Sequence, residues 1–216
     1  MSAKGATSTA VIVFAKAPVA GYAKTRLIPA LGAQGAADLA ERLMDTTLAH
    51  AVGAELGPVE LCVAPDREHA AFATAVHRHG VSLTEQGDGD LGRRMARAFE
   101  RVLLAQPQAL LIGTDAPGLD AAYLRAAAQA LHESDAVFGP AADGGYTLVG
   151  LKRPRPELFI NMRWSHDQVM AHTRERLAQA RLRHVELPVL HDVDDPGDLV
   201  HLAAHGAHVP RLKESP

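Results

Sequence analysis

The sequence predicts a single α/β domain with a mostly parallel central sheet covered by helices on both faces. Three observations carry that expectation. Short, apolar, β-branched runs alternate with segments of helical spacing, and parallel strands need long crossovers that are usually helices. The 216 residues are 47% apolar, enough to bury one large core without disulfides or a structural metal. No linker, internal repeat or low-complexity stretch divides the chain, so residues 10–204 are expected to form one domain between a flexible N-terminus (1–9) and a polar tail (205–216).

The elements follow in order. Ala10–Ala15 (AVIVFA) reads as a fully buried strand. Between Gln34 and Val52, Ala37, Leu39, Ala40, Leu43, Met44, Thr47, Leu48 and Ala51 recur at helical spacing, with Glu41, Arg42 and Asp45 on the other face. Val59–Ala64 is a second strand, Asp66–His79 a helix, Val81–Thr84 a third strand and Leu91–Leu104 a helix. Ala109–Gly113 is a fourth buried strand, and Asp120 can cap the helix that runs to Leu131. Ala136–Gly139 and Tyr146–Leu151 flank a Gly-rich turn, breaking the alternation into strand-turn-strand. Asp167–Arg181 is helical, Arg183–Leu187 a strand, and Pro196 opens a last helix to Ala204.

Charge and composition exclude several functions. Lys+Arg 22 against Asp+Glu 25 leaves a net charge of -3 with no long basic run, so a nucleic-acid partner is not expected. The single cysteine, Cys62, lies in an apolar run and reads as a small buried hydrophobe. No stretch approaches the roughly 20 apolar residues of a membrane span, and no signal-peptide core follows Met1. A cytoplasmic protein without a membrane partner is the expectation. Of 12 histidines, His201 and His205 stand four apart, but no flanking glutamate or cysteine completes a zinc set, and the histidines are expected at the surface.

In parallel sheets ligands bind beyond the carboxyl ends of strands, so the loops there carry the functional argument. After the first strand, Lys16, Lys24 and Arg26 surround Gly21. Two ammonium groups and a guanidinium can neutralise a di- or triphosphate while glycine lets backbone amides approach it. After the fourth strand, Gly113-Thr114-Asp115-Ala116-Pro117 fixes a carboxylate suited to Mg²⁺ or Mn²⁺. His191-Asp192-Val193-Asp194-Asp195-Pro196 follows the last strand and puts Asp192 and Asp194 on one side of an extended segment; either could be a second ligand, the remaining aspartates capping the helix beyond. Asp143-Gly144-Gly145-Tyr146 is both a hairpin turn and a place where backbone can pack on a bulky ligand, with Asp143 facing the cleft of Asp115. The loop Gln86–Arg93 opens a helix whose N-terminus can meet an anion or a base edge. Trp164, the sole tryptophan, can pack in the core or stack on a base or sugar.

Five blocks in order, Phe14–Leu27 (FAKAPVAGYAKTRL), Gly89–Phe99 (GDLGRRMARAF), Leu111–Leu119 (LIGTDAPGL), Gly139–Leu151 (GPAADGGYTLVGL) and Asp192–Leu199 (DVDDPGDL), resemble the bacterial glycosyltransferase-like proteins described as radical-SAM/selenodomain-associated transferases, in the nucleotide-diphospho-sugar transferase superfamily. The resemblance covers nearly the whole chain. It implies a GT-A-type, Rossmann-like α/β/α sandwich that takes a nucleotide-activated small molecule at the carboxyl edge of its sheet. Lys16, Lys24 and Arg26 would hold the phosphates, with Gly21 in their loop, and Leu91, Gly92 and Arg93 would lie near the base. Asp115 would be the main metal carboxylate, with Asp192 or Asp194 the second.

The Lys-Thr-Arg-Leu run and the Asp-containing ending are also similar to molybdenum-cofactor and phospholactate nucleotidyltransferases. Where a GT-A glycosyltransferase usually carries Asp-x-Asp, this chain has Gly-Thr-Asp-Ala-Pro, with Ala116 where the family usually has serine. The leading expectation is a Mg²⁺- or Mn²⁺-dependent glycosyltransferase-like enzyme. Nucleotidyl transfer to a phosphorylated acceptor with pyrophosphate release is the alternative, and a non-catalytic nucleotide sensor the third reading. Lys24, Asp115 and Asp143 are the candidate catalytic residues; Gly144, Gly145, Tyr146 and Trp164 are the candidate acceptor contacts.

Overall fold

The computed structural model describes residues 8–204. Residues 1–7 and 205–216, which hold most of the expected flexible N-terminus and the polar tail with His205, lie outside the described residues. Strand β1 spans Thr9–Lys16, β2 Val59–Ala64, β3 Ser82–Glu85, β4 Gln108–Ile112, β5 Ala136–Pro140, β6 Tyr146–Leu151 and β7 His184–Glu186. Helix α1 spans Ile28–Gly53, α2 Ala70–His79, α3 Leu91–Val102, α4 Ala121–Glu133, α5 Val169–Gln179 and α6 Leu199–Ala204. Together they make one α/β domain.

The seven strands lie in the order β3-β2-β1-β4-β6-β5-β7. All pairings are parallel except those of β6, which runs antiparallel to both β4 and β5. The cause is the short β5–β6 connection, which can only reverse the chain. From β1 the chain moves outward to β2 and β3, then returns to the other side of β1 as β4. Loops leaving β1 and β4 therefore diverge, opening a crevice at their carboxyl ends.

Alternation along the strands builds two cores. Val11, Val13 and Ala15 of β1 face a cluster with Leu48 of α1, Phe72 of α2 and Leu124, Ala127, Ala128 and Leu131 of α4. Ala10, Ile12 and Phe14 face the opposite cluster with Met95 and Phe99 of α3 and Met170 and Leu177 of α5. A third, smaller cluster joins Leu27, Leu31, Leu39 and Leu43 to Val193, Leu199 and Leu202. It docks the last loop against the first helix, a link the sequence does not announce.

Several boundaries move for local reasons. α1 begins at Ile28 rather than Gln34, because a first turn carrying Pro29 precedes a kink at Gly32, φ 76° and ψ 164°. α2 begins at Ala70 rather than 66, where the His69 side chain accepts from the Ala71 amide. Asp120 caps α4 as expected, accepting from the Tyr123 amide at 2.7 Å. Pro196 opens a 3₁₀ turn, Pro196–Asp198, rather than the α-helix itself. Among the described residues, no helix is long and apolar enough to cross a membrane.

Candidate active site

The crevice is a cleft of about 750 Å³, lined from β1, β4, β6, α1, α3 and α5 and from the loops that follow β1, β3, β4, β5, β6 and β7. Its centre is Lys24. Leu27, fully buried in the third cluster, anchors the end of the β1 loop, and Lys24 itself adopts the left-handed conformation, φ 45° and ψ 50°. That conformation is uncommon for a side chain with a Cβ. It delivers the ammonium group to three oxygens: Asp115 Oδ1 at 2.5 Å, Val193 O at 2.7 Å and Asp194 Oδ1 at 3.4 Å. Burial alone would lower the Lys24 pKa, but Asp115 and Asp194 outweigh it and the value is raised.

The acidic side is built with equal economy. Asp115 leaves the end of β4, and its carbonyl accepts from the Val193 amide at 2.9 Å. Val193 is buried, which turns Asp192 and Asp194, its neighbours on either side, toward the cleft they both line. Asp198 Oδ2 accepts from the amides of Asp194 and Asp195 at 3.0 and 2.8 Å, fixing that segment. Asp192 is pushed up to about 7, first by burial and then by Asp115, Asp143 and Asp194, with Lys24 acting against them. Its Oδ1 is buried and has no hydrogen-bond partner.

Crowded carboxylates with an orphaned buried oxygen favour a hard cation, and an all-oxygen donor set suits Mg²⁺ or Mn²⁺. As placed, no three such groups among the described residues converge closely enough to enclose an ion. The ammonium group of Lys24 occupies the position of the counter-charge. The donor chemistry fits a divalent metal, provided Lys24 moves.

Most of the expected site residues meet here: Lys16, Lys24, Arg26, Leu91, Asp115, Asp143, Gly145, Tyr146, Trp164, Asp192 and Asp194 all line the cleft. Arg26 is exposed, 4.0 Å from Asp195. Asp143 Oδ1 accepts from the Gly145 amide at 2.8 Å, forming the expected turn. Gly21, Gly92, Arg93 and Gly144 do not line the cleft, and each departure has a physical reason. Gly21 supplies a positive φ of 86° with open space around it, so it shapes the loop without crowding. A Cβ on Gly92 would lie 2.2 Å from Phe159 O, so this glycine serves helix packing. Gly144 likewise packs against the Asp167 backbone. Arg93 lies against Gly89, and it is Arg94, donating to Gly89 O at 2.9 Å, that lines the cleft.

Arg94, Ser165 and His166, to which the sequence assigned no role, also line the cleft, as does Gln86 from the loop singled out ahead of α3. Gln86 is buried and donates to the carbonyls of Ala15 and Cys62 at 3.1 and 3.0 Å, tying together the ends of β1 and β2. Helical phase could have found Arg94, since positions three apart share a face while positions two apart do not. His166 departs from the expected surface placement, its Nε2 being buried.

The family model described as "Uncharacterized protein conserved in bacteria (DUF2064)" matches residues 47–166, more than half of the chain. No curated protein matches the sequence. Among solved structures, a candidate nucleotide-diphospho-sugar transferase from Desulfovibrio desulfuricans G20 is 28% identical with TM-score 0.80, the match covering 88% of this chain and 83% of that one. CMP:2-keto-3-deoxy-manno-octonic acid synthetase, solved with CTP, shares the fold at 13% identity and TM-score 0.57, over 91% of this chain and 98% of that one. Glucosyl-3-phosphoglycerate synthase from Mycobacterium tuberculosis, solved with Mn²⁺, UDP and glucosyl-3-phosphoglycerate, shares it at 9% identity and TM-score 0.56, over 95% of this chain and 82% of that one.

Proposed function

The chain belongs to the DUF2064 family and is a nucleotide-dependent transferase, and from that premise we propose that it moves a sugar from a nucleoside diphosphate donor with the help of Mg²⁺ or Mn²⁺. One observation carries this reading: Lys24 and the carboxylates of Asp115 and Asp194 converge within bonding distance at the switch point of the sheet. Cations for a polyphosphate and acids for a metal thus share one crevice. The 28% identical neighbour is itself a candidate nucleotide-diphospho-sugar transferase.

In this reading Lys16, Lys24 and Arg26 bind the diphosphate, and Arg94 and Leu91 line the cleft beyond it. Asp115 and Asp192 would hold the metal, which would supply positive charge beside the leaving nucleoside diphosphate. Lys24 turns from the carboxylates to the phosphates, remaining paired throughout. Asp143, with Oδ1 fixed by the Gly145 amide, accepts the acceptor proton through its other oxygen. Gly145, Tyr146 and Trp164 flank the acceptor. Loss of a proton from the acceptor hydroxyl balances the new glycosidic bond and the departing diphosphate.

Incubation with Mn²⁺ and a panel of nucleotide sugars tests this directly. Slow release of nucleoside diphosphate in the absence of acceptor is the expected outcome. Pyrophosphate release from a nucleoside triphosphate and a phosphorylated acceptor would instead establish nucleotidyl transfer, the second reading, which has the fold of the CTP-bound synthetase in its favour. Tight nucleotide binding with neither product would mark a sensor.

Lys24 offers a second check. Its side chain is 6% exposed, whereas Asp115 and Asp194 are about half exposed, so water screens part of the interaction. Lys24→Met is expected to cost about 2 kcal/mol and lower the melting temperature by roughly 4–8 °C. Mn²⁺ should restore more stability to this variant than to the wild type, because the carboxylates then lack their resident cation. Equal melting of the two proteins without metal would remove Lys24 from the neutralising role.

A further inference from the structure

Three buried polar atoms without a hydrogen-bond partner belong to side chains that line the cleft: Tyr146 OH, Trp164 Nε1 and His166 Nε2; the Tyr146 and Trp164 rings meet edge to face with centroids 6.3 Å apart. Unpaired buried polar groups are rare and costly, so three in residues lining one cleft call for a partner from outside the protein. All three can donate, and two can only donate. An indole nitrogen can only donate. His166 Nδ1 accepts from the Gln168 amide at 3.0 Å, so in the neutral ring the proton must sit on Nε2, which also donates. The Tyr146 hydroxyl can donate as well.

One cation stands beside this group. Arg176 donates to three neutral carbonyls, those of Glu157, Ile160 and Asn161, at 3.1, 2.6 and 3.0 Å, and no carboxylate pairs with it among the described residues. It stands close enough to Tyr146 to favour the ionised phenol against the dominant effect of burial. Ser165, between Trp164 and His166, holds a left-handed conformation at φ 63°. Such strain persists where the fold gains by aiming particular side chains.

We propose that Tyr146, Trp164 and His166 form a donor-rich recess that grips an oxyanion, phosphate or carboxylate, on the acceptor substrate. This deepens the transferase reading and rests on it: the acceptor is an acid, held by its anionic group while its hydroxyl reacts. The three polar atoms are sealed from bulk water, so the recess opens to its guest by side-chain rotation.

Trp164 is the only tryptophan, so its indole N–H resonance reports on the recess without assignment of other signals. In the ¹⁵N-labelled full chain, inorganic phosphate or acetate should move that resonance, the more effective of the two identifying the anion, and glycerol at equal concentration should not. The phosphate response should persist in Lys24→Met, which disables the nucleotide loop. It should weaken about tenfold or more in His166→Phe, given the strength of a hydrogen bond to a charged group. His166→Gln, which keeps an N–H donor, should stay within about threefold of the wild type.

A glycerol response equal to that of phosphate, or loss of the phosphate response in Lys24→Met but not in His166→Phe, overturns the recess. Calorimetry with UDP, CDP, GDP and ADP plus Mn²⁺ reads the parent reading separately. Nucleotide binding with no anion response at Trp164 overturns the recess alone, whereas an anion response with no nucleotide binding overturns the transferase reading and keeps the recess.

Discussion

Asp115→Asn is expected to lower sugar transfer about a thousandfold while leaving the fold intact. The side chain is half exposed and meets Lys24 at 2.5 Å, but it is the backbone carbonyl of Asp115, accepting from Val193, that joins β4 to the last loop. Asparagine keeps the shape and that backbone bond, and removes one negative charge from the centre. Relief of repulsion among the carboxylates roughly offsets loss of the Lys24 pair, so stability should change by less than about 1 kcal/mol. Activity has no such compensation. Electrostatic groups aimed at developing charge are typically worth about 10²–10³ in turnover, and metal binding is lost with the ligand. Nucleoside diphosphate release from a nucleotide sugar with Mn²⁺ measures the effect. Turnover within tenfold of the wild type would falsify the role given to Asp115.

Gly144→Ala is expected to be the most destabilising of the changes considered, at about 4 kcal/mol, with the melting temperature falling by roughly 8–16 °C. Two costs add. Gly144 has φ 88°, a conformation costing an L-residue about 1–2 kcal/mol. Its new Cβ would lie 2.0 Å from Asp167 O, and backbone cannot yield as a flexible side chain can. Separating the two segments strains the 2.8 Å bond from the Met170 amide to Gly144 O, which holds the start of α5; overpacking of this kind costs about 1–3 kcal/mol more. Gly53→Ala, at the end of α1 with nothing within 4 Å of the added Cβ, is the control and should change stability by no more than about 1 kcal/mol. Equal melting of the two variants would show that residues 144 and 167 do not approach as described.

Local rules made much of this protein legible. The β-branched run at the start, the strand before Asp115, the helix capped by Asp120 and the hairpin around Gly144 all follow from periodicity and turn chemistry, and the structure has them within a residue or two. The rule that ligands meet strand carboxyl ends led to Lys24, Asp115, Asp192 and Asp194, which line one cleft. What escaped needed three dimensions. Arg93 and Arg94 are chemically equivalent, and it is the phase of α3, with Gly92 set against Phe159 O, that puts Arg94 rather than Arg93 in the cleft. Gly144 reads as a freely turning residue until Asp167 is seen beside it. His166 looks like any loop histidine until its Nδ1 is found engaged and its Nε2 enclosed. The tie of Val193 to the first helix depends on a contact between segments at opposite ends of the chain, which no local pattern encodes.

That tie has a consequence for biosynthesis. Lys24 is bonded to a carbonyl 169 positions further along, so a ribosome must add all of those positions before the ammonium group can find its companions. The early strands can pair as they emerge, yet the chemistry waits for the final loop, and a truncated product ending before that loop would be folded in large part and inert.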